Sequence, residues 1–175
     1  MKNSKKILPQ LSRLPIFDGM PETGIEEILD EASCRLHSYE KDEVFLRQGD
    51  AYPALSFVLE GTCVSEMNDS FGRTVVLAKF TAPFSVAPGF LFLEKGSLPI
   101  SLTAETPVTV MSISRGRVFA GLRKNGIFLR NFLRLLSTRI EYLTDRVSFH
   151  SCGTIREKLL AYLKSLQTEN EDSVT

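Results

Sequence analysis

The spacing of apolar residues divides the chain into a short helical start, a strand-rich middle and a long helical end. Residues 14–36 open with a turn and continue as a short helix, in which Thr23 and Glu26 are spaced to form a capping box. From about 37 to 113, short alternating segments are separated by Gly, Asn and Asp turns, which is typical of a sandwich, roll or barrel. From about 116 the period becomes helical, with a stop predicted near Asn125-Gly126.

The long helical segment carries a heptad pattern. β-branched residues at the a positions and Leu at the d positions favour a parallel two-stranded coiled coil. A second apolar stripe beside it, beginning at Phe128 and Phe132, predicts a further neighbour, the β domain of the same chain. The alternative is a helix buried in a monomer. The predicted dimer seam consists of Leu129, Leu133, Leu136, Ile140, Leu143, Val147 and His150.

These patterns predict three parts. Residues 1–125 form an N-terminal helix and a β domain, and 126–151 form the dimerisation helix. Residues 152–175 begin with a hinge at Cys152-Gly153, followed by a helix. The fold class is therefore mainly β with α.

Composition and charge exclude several classes of protein. The 175 residues carry a formal net charge of zero, which argues against a nucleic-acid or anionic-membrane surface on this chain alone. Three scattered cysteines (Cys34, Cys63 and Cys152) do not form a disulfide or zinc pattern. There is no signal-peptide pattern and no membrane-length apolar run, so we expect a cytoplasmic protein without a membrane partner. Two histidines without a phosphate loop or triad leave no catalytic constellation, so we expect no enzyme.

Four segments together resemble the CRP/FNR family of bacterial transcription regulators. They are "LPIFDGMPETGIEEIL", "YEKDEVFLRQGD", "LSFVLEGTCVSEMNDSFGRTVVLAKF" and "TIREKLLAYLKSL". The resemblance implies a cyclic-nucleotide-binding-type β-roll (a double-stranded β-helix or jelly roll), a long dimerisation helix, and a winged helix-turn-helix after the hinge. Because the chain stops at Thr175, we expect that DNA-binding module to be missing, either through truncation, which we favour, or because this member lacks it. DNA would be bound only through that module.

The resemblance also locates the effector site, in the stretch "FSVAPGFLFLEKGSLPISLTA" at 84–104. In cAMP-binding members, a Gly-Glu at the start of a short helix and a later Arg hold the ribose and the cyclic phosphate. This chain has Ala87-Pro88 and Leu98 at those positions. A buried phosphate needs amide donors and a paired cation, so we expect no cAMP binding.

An iron–sulfur cluster of the FNR type is also not expected, because it needs four clustered cysteines. The "APGFLF" and "LPISLTA" segments are similar to regulators of the HcpR type, linked to nitrosative stress. This implies haem as a sensor of nitric oxide, held in an apolar pocket. The same residues also suit a plain core with a vestigial pocket. The candidate pocket residues are Met67, Phe84, Val86, Phe90, Leu91, Leu98, Ile100, Phe128, Phe132 and Leu135.

Two residues are the candidate iron ligands, Met67 and His150. Met67 shares a strand face with Cys63, and it would reach the pocket if that face points inward. His150 lies at the end of the predicted seam.

The favoured function is the sensing and dimerisation part of a CRP/FNR-type regulator of nitrosative stress. Two other functions stay open: a standalone dimeric binder of haem or another apolar ligand, and a cyclic-nucleotide-regulated module that controls an enzyme or channel.

Overall fold

A computed structural model of the chain describes residues 4–29, 34–68, 71–94 and 97–151, and the side chains within those ranges from residue 7 to residue 147. The chain divides into two compact units, Met1–Leu133 and Arg134–Thr175. Among the described residues, no helix is both long and apolar enough to span a membrane.

In the described residues of the first unit, eight antiparallel strands in two four-stranded sheets form the centre, as the alternating pattern predicts. The strand order is β1-β8-β3-β6 in one sheet and β2-β7-β4-β5 in the other. The strands are β1 (Cys34–Tyr39), β2 (Val44–Leu46), β3 (Ala54–Glu60), β4 (Thr62–Asn68), β5 (Thr74–Thr81), β6 (Phe84–Val86), β7 (Ser101–Ala104) and β8 (Val108–Ser114).

The interior of this roll lies on one face of each sheet. On β4, Cys63 and Ser65 are buried while the alternate residues are only half-buried. On β7, Leu102 and Ala104 are the buried pair. The two sheets share a cluster of buried apolar residues, which gives the roll its core. The cluster consists of Val58, Cys63, Val86, Leu102, Ala104, Val108 and Val110.

Four α-helices and two single 3-10 turns complete the described fold. The turns are Pro15–Phe17 and Pro88–Phe90. The helices are α1 (Ser4–Leu11), α2 (Glu22–Ile28), α3 (Arg115–Lys124) and α4 (Gly126–Ser151).

Two predictions for the N-terminal region are wrong. The capping box of Thr23 and Glu26 does not form, because α2 begins directly after Pro21, whose carbonyl accepts from the amides of Gly24 and Ile25. The strands also begin earlier than residue 37, because β1 pairs with β8 along its whole length from Cys34. Helix α1 was not predicted, since a helix this short carries little periodic signal.

The predicted stop near Asn125-Gly126 is confirmed, and it separates α3 from α4. The Asn125 side-chain oxygen accepts from the backbone amides of Ile127 and Phe128, both at 3.0 Å, and so caps the first turn of α4. The predicted hinge at Cys152-Gly153 lies outside the described residues.

Candidate effector site

The described part of the 84–104 segment contains a strand, a tight turn and a returning strand. β6 pairs with β3, and Ala87 follows it in the left-handed region, at φ 41° and ψ 47°. The Pro88–Phe90 turn comes next, and β7 returns beside β4. A non-glycine residue in the left-handed region costs roughly 1–2 kcal/mol, so the surrounding contacts must hold this turn in place.

Tyr52 supplies one of those contacts. Its hydroxyl donates to the Val86 carbonyl at 2.6 Å, directly before Ala87, and accepts from the Ser56 amide at 3.0 Å. The ring is buried, and this burial raises the pKa of Tyr52 to about 12. The phenol is therefore neutral at physiological pH and ties β6 to the start of β3.

Leu98 occupies the position where the family resemblance would place a phosphate-binding Arg. Its side chain is 1% exposed. Its amide donates to the Asp50 carbonyl, and its carbonyl accepts from the Gly49 amide. The backbone at this position is thus already paired, and its side chain offers no cation. The whole 84–104 stretch contains two charged residues, Glu94 and Lys95.

The structure brings only part of the predicted pocket together. Phe84 and Ile100 are half-buried and pack against the cluster that contains Val86, while Phe84 lies 5.1 Å from Phe80 between ring centroids. Leu91 is fully buried. Phe90 and Leu135 are half-buried.

The two predicted pocket residues at the start of α4 lie elsewhere. Phe128 is fully buried and stacks on Phe17 at 5.6 Å, in the layer formed by the N-terminal segment. Phe132 contacts Phe92 edge-to-face at 5.9 Å. A helical period identifies an inward face but does not say which layer of the protein that face meets.

Met67 lies on the β4 face that contains the buried residues Cys63 and Ser65, and it is itself half-buried. Burial raises the pKa of the Cys63 thiol to about 11, which keeps it protonated and makes it a poor metal ligand. The His150 side chain lies outside the described side chains. Among the described residues, no group of three His, Cys, Asp or Glu side chains could hold a metal ion. Both candidate iron ligands remain predictions.

Two cavities lie outside the roll, where α2, α3 and the start of α4 meet. One, of about 460 Å³, is lined by residues 124–127 and Arg130. The other, of about 400 Å³, lies between α2 and α3 and includes Glu26, Glu27 and Arg117 in its wall. Neither contains a predicted pocket residue.

Two residues of the site region were missed by the sequence reasoning. Tyr52 acts on Val86, which is 34 residues away, so no local pattern reveals the contact. Phe119 lies on α3 with its ring 6.2 Å from that of Phe92. Its only signal in the sequence was an aromatic residue within a basic helix. In the structure its side chain is 53% exposed.

The sequence matches the model of the cyclic nucleotide-binding domain over residues 36–125, which is more than half of the chain. The chain belongs to this family. The predicted fold class, a cyclic-nucleotide-binding-type roll followed by a long helix, is thereby confirmed. No curated protein matches the sequence.

Solved structures show the same fold at low sequence identity. The sensor domain of the transcriptional regulator DNR from Pseudomonas aeruginosa has a TM-score of 0.71 at 19% identity, covering 89% of this chain and 99% of that one. A transcriptional regulator from Thermotoga maritima has a TM-score of 0.67 at 21% identity, covering 73% and 97%. The Thermus thermophilus catabolite activator protein has a TM-score of 0.66 at 21% identity, covering 77% of this chain and 63% of that protein.

Proposed function

We propose that this chain is the effector-sensing and dimerisation part of a CRP/FNR-type transcription regulator that does not respond to cAMP. The observation that carries the proposal is that Leu98 is buried and uncharged and that Ala87-Pro88 forms the turn, at the two positions where the family resemblance would place the groups that hold a cyclic phosphate. Pro88 has no amide hydrogen to donate. A phosphate placed there would lose its hydration without gaining a partner, which costs about 3 kcal/mol or more.

The apolar side chains of the site favour an apolar effector, and we propose haem as the sensor of nitric oxide. Phe84 and Ile100 are half-buried apolar residues of the site. Of the two candidate iron ligands, Met67 is the one whose side chain the structure describes, and its thioether could bind the iron. Bound haem would supply an iron centre that takes up nitric oxide. Because Val86 and Leu91 are packed at 2% exposure or less, the roll would have to open to admit it.

We also propose that two copies associate through α4. In the first unit, Leu129 and Leu133 are exposed. In the second, Ile140, Leu143 and Val147 are 50–65% exposed. A row of exposed a and d residues at heptad spacing is what a second helix of the same period covers. The family relation then predicts that effector binding changes the pairing of these helices, and that DNA is bound through a module beyond this chain.

The experiment is a haem titration of the purified chain, followed by absorbance in the ferric, ferrous and nitric-oxide-bound forms. We expect one haem per subunit and a spectrum that changes when Met67→Leu removes the thioether. Met111→Leu is the matched control, because it removes the same thioether from a residue of β8 that is 1% exposed and is not a candidate ligand.

Three results would contradict parts of the proposal. A titration that yields only the spectrum of free haem would exclude haem and leave another apolar effector or a vestigial pocket. An unchanged spectrum in Met67→Leu would exclude Met67 as the ligand. Haem binding by a full-length protein whose DNA affinity does not respond to it would favour the standalone binder.

A further inference from the structure

The first residue of α3, Arg115, binds two consecutive backbone carbonyls of the segment before β3. Its backbone amide donates to the Pro53 carbonyl at 2.8 Å, and its side-chain Nη2 donates to the Tyr52 carbonyl at 3.0 Å. Ser114, the residue before it, pairs with Ala54 at the start of β3. The start of α3 and this short segment are therefore joined side by side.

The guanidinium of Arg115 lies in an unfavourable environment. The side chain is half-buried, and among the described residues its Nε is buried without a hydrogen-bond partner. Buried donors are nearly always paired, and a cation that loses water without gaining an anion lowers stability. In the described part of the chain, the bond to the Tyr52 carbonyl is the polar contact of this side chain. The placement of that carbonyl therefore explains an arginine at this position.

Tyr52 continues the connection to the candidate effector site. Its buried hydroxyl donates to the Val86 carbonyl at 2.6 Å, directly before the left-handed Ala87. The same hydroxyl accepts from the Ser56 amide at 3.0 Å. Two hydrogen bonds and one phenol ring thus connect the first residue of α3 with the turn that begins at Ala87.

We propose that Arg115 is a positioning residue of the candidate effector site, which acts through Tyr52 and couples the turn at Ala87 to the start of α3. This inference rests on the proposed function, because it takes that turn as part of the effector site. A shift of the Val86 carbonyl strains the bond from Tyr52, and a shift of Tyr52 strains the bond from Arg115. An effector that moves the turn would therefore change how α3 begins.

The test measures hydrogen exchange of the Ser56 amide in the ligand-free whole chain, by nuclear magnetic resonance. This amide donates to the Tyr52 hydroxyl, so its exchange rate reports whether that hydroxyl is in place. Amides of β8, an interior strand of the same sheet, report unfolding of the roll. Arg115→Met removes the side-chain donors, and we expect it to raise the Ser56 rate, relative to β8, about fivefold or more.

Two variants serve as controls. Arg117→Met is the matched one, because Arg117 lies on the same helix and is also half-buried, but its guanidinium donates to two carbonyls at the end of α2. We expect it to change the Ser56 rate, relative to β8, by less than about twofold. Arg115→Lys keeps one donor for the Tyr52 carbonyl, and we expect a rate within about twofold of the parent chain, since the contact is a single bond and not a bidentate pair.

The Tyr52→Phe background shows whether Arg115 acts through Tyr52. Without the hydroxyl, the Ser56 amide loses this acceptor, so we expect Arg115→Met to raise its exchange rate there by less than about twofold. Equal effects in the two backgrounds would overturn the proposal. An unchanged rate in Arg115→Met, or an equal rise in Arg117→Met, would overturn it too. If Arg115→Lys behaves like Arg115→Met, the side chain acts by packing and the proposal fails.

A second measurement does not depend on the folding of the Arg115 variants. The Arg115 amide donates to the Pro53 carbonyl, so its exchange reports the start of α3. We expect Tyr52→Phe to raise that rate, relative to β8, about threefold or more, and an unchanged rate would show that the two ends are not coupled. All of these measurements use the ligand-free chain. A failed haem titration therefore leaves their result standing, and haem binding with uncoupled ends would refute this inference alone.

Discussion

Replacing Tyr52 by Phe removes one oxygen atom from the site and tests whether that atom fixes the turn that begins at Ala87. The Tyr52 hydroxyl bonds the Val86 carbonyl at 2.6 Å and the Ser56 amide at 3.0 Å, in a place that is 1% exposed. Each buried backbone group that loses its partner costs about 1–3 kcal/mol. Two groups lose their partner, so we expect Tyr52→Phe to lower the free energy of unfolding by about 2–6 kcal/mol at pH 8.

The same substitution changes how stability depends on pH. Burial raises the pKa of Tyr52 from 10.0 to about 12, so its contribution to stability is complete below pH 10 and is lost as the pH rises towards 12. At about 1.4 kcal/mol per pKa unit, the parent chain should lose about 2 kcal/mol from this residue by about pH 11.5. Phe at position 52 cannot ionise, so the difference in free energy of unfolding between the parent chain and Tyr52→Phe should be about 2 kcal/mol smaller at pH 11.5 than at pH 8. The Cys63 thiol titrates in both proteins and does not affect the gap.

The assay is urea unfolding followed by circular dichroism, at pH 8 and at pH 11.5. Tyr142→Phe is the control. The Tyr142 side chain is 46% exposed on α4, so removing its hydroxyl should lower the free energy of unfolding by less than about 0.5 kcal/mol. The reasoning is refuted if Tyr52→Phe unfolds within about 0.5 kcal/mol of the parent chain at pH 8. It is also refuted if the gap between the two proteins is the same at both pH values.

Three further substitutions test the backbone that positions the site, each measured by urea unfolding at neutral pH. Gly61→Ala should cost about 3 kcal/mol or more of the free energy of unfolding, because its φ is +89° and a Cβ would collide with the Pro107 carbonyl. Gly49→Ala is the control, since Gly49 has φ +90° but open space around it, and it should cost about 1 kcal/mol. Equal costs would contradict this reasoning. Asn131→Ala should cost about 1–3 kcal/mol, because its amide donates to two backbone carbonyls of the N-terminal segment, and no loss would show those bonds to be unimportant. Ala87→Gly should raise stability by about 0.5–1 kcal/mol by relieving its left-handed backbone, and a clear loss of stability would contradict that strain.

The strands of the roll and the α3–α4 boundary were predictable because their signals are local. Alternating residues predict β4 and β8, a short apolar run that ends at Gly61 predicts β3, and Asn125-Gly126 predicts the helix stop. The strand β1 was harder to place, because its start depends on pairing with β8, about 75 residues later, and its own sequence carries no signal for Cys34.

The candidate site was only partly predictable because its contacts join distant parts of the chain. The sequence shows that Leu98 stands where the family resemblance would place a phosphate-binding Arg, and the structure adds that this side chain is buried. Periodicity identified Phe128 and Phe132 as inward-facing, but one meets Phe17 and the other meets Phe92. Which neighbour an apolar face meets is decided by how the layers pack, and helical spacing does not contain that information.

We propose that the roll of this chain binds an apolar effector and does not bind a cyclic nucleotide. The most direct test compares the thermal unfolding midpoint of the purified chain alone, with excess cAMP, and with haem. A ligand that binds only the folded state raises the midpoint by mass action. We predict no shift with cAMP and a rise with haem that saturates at one equivalent per subunit. A saturable rise with cAMP would contradict the account, because it would require a phosphate site where Ala87, Pro88 and Leu98 supply no cation.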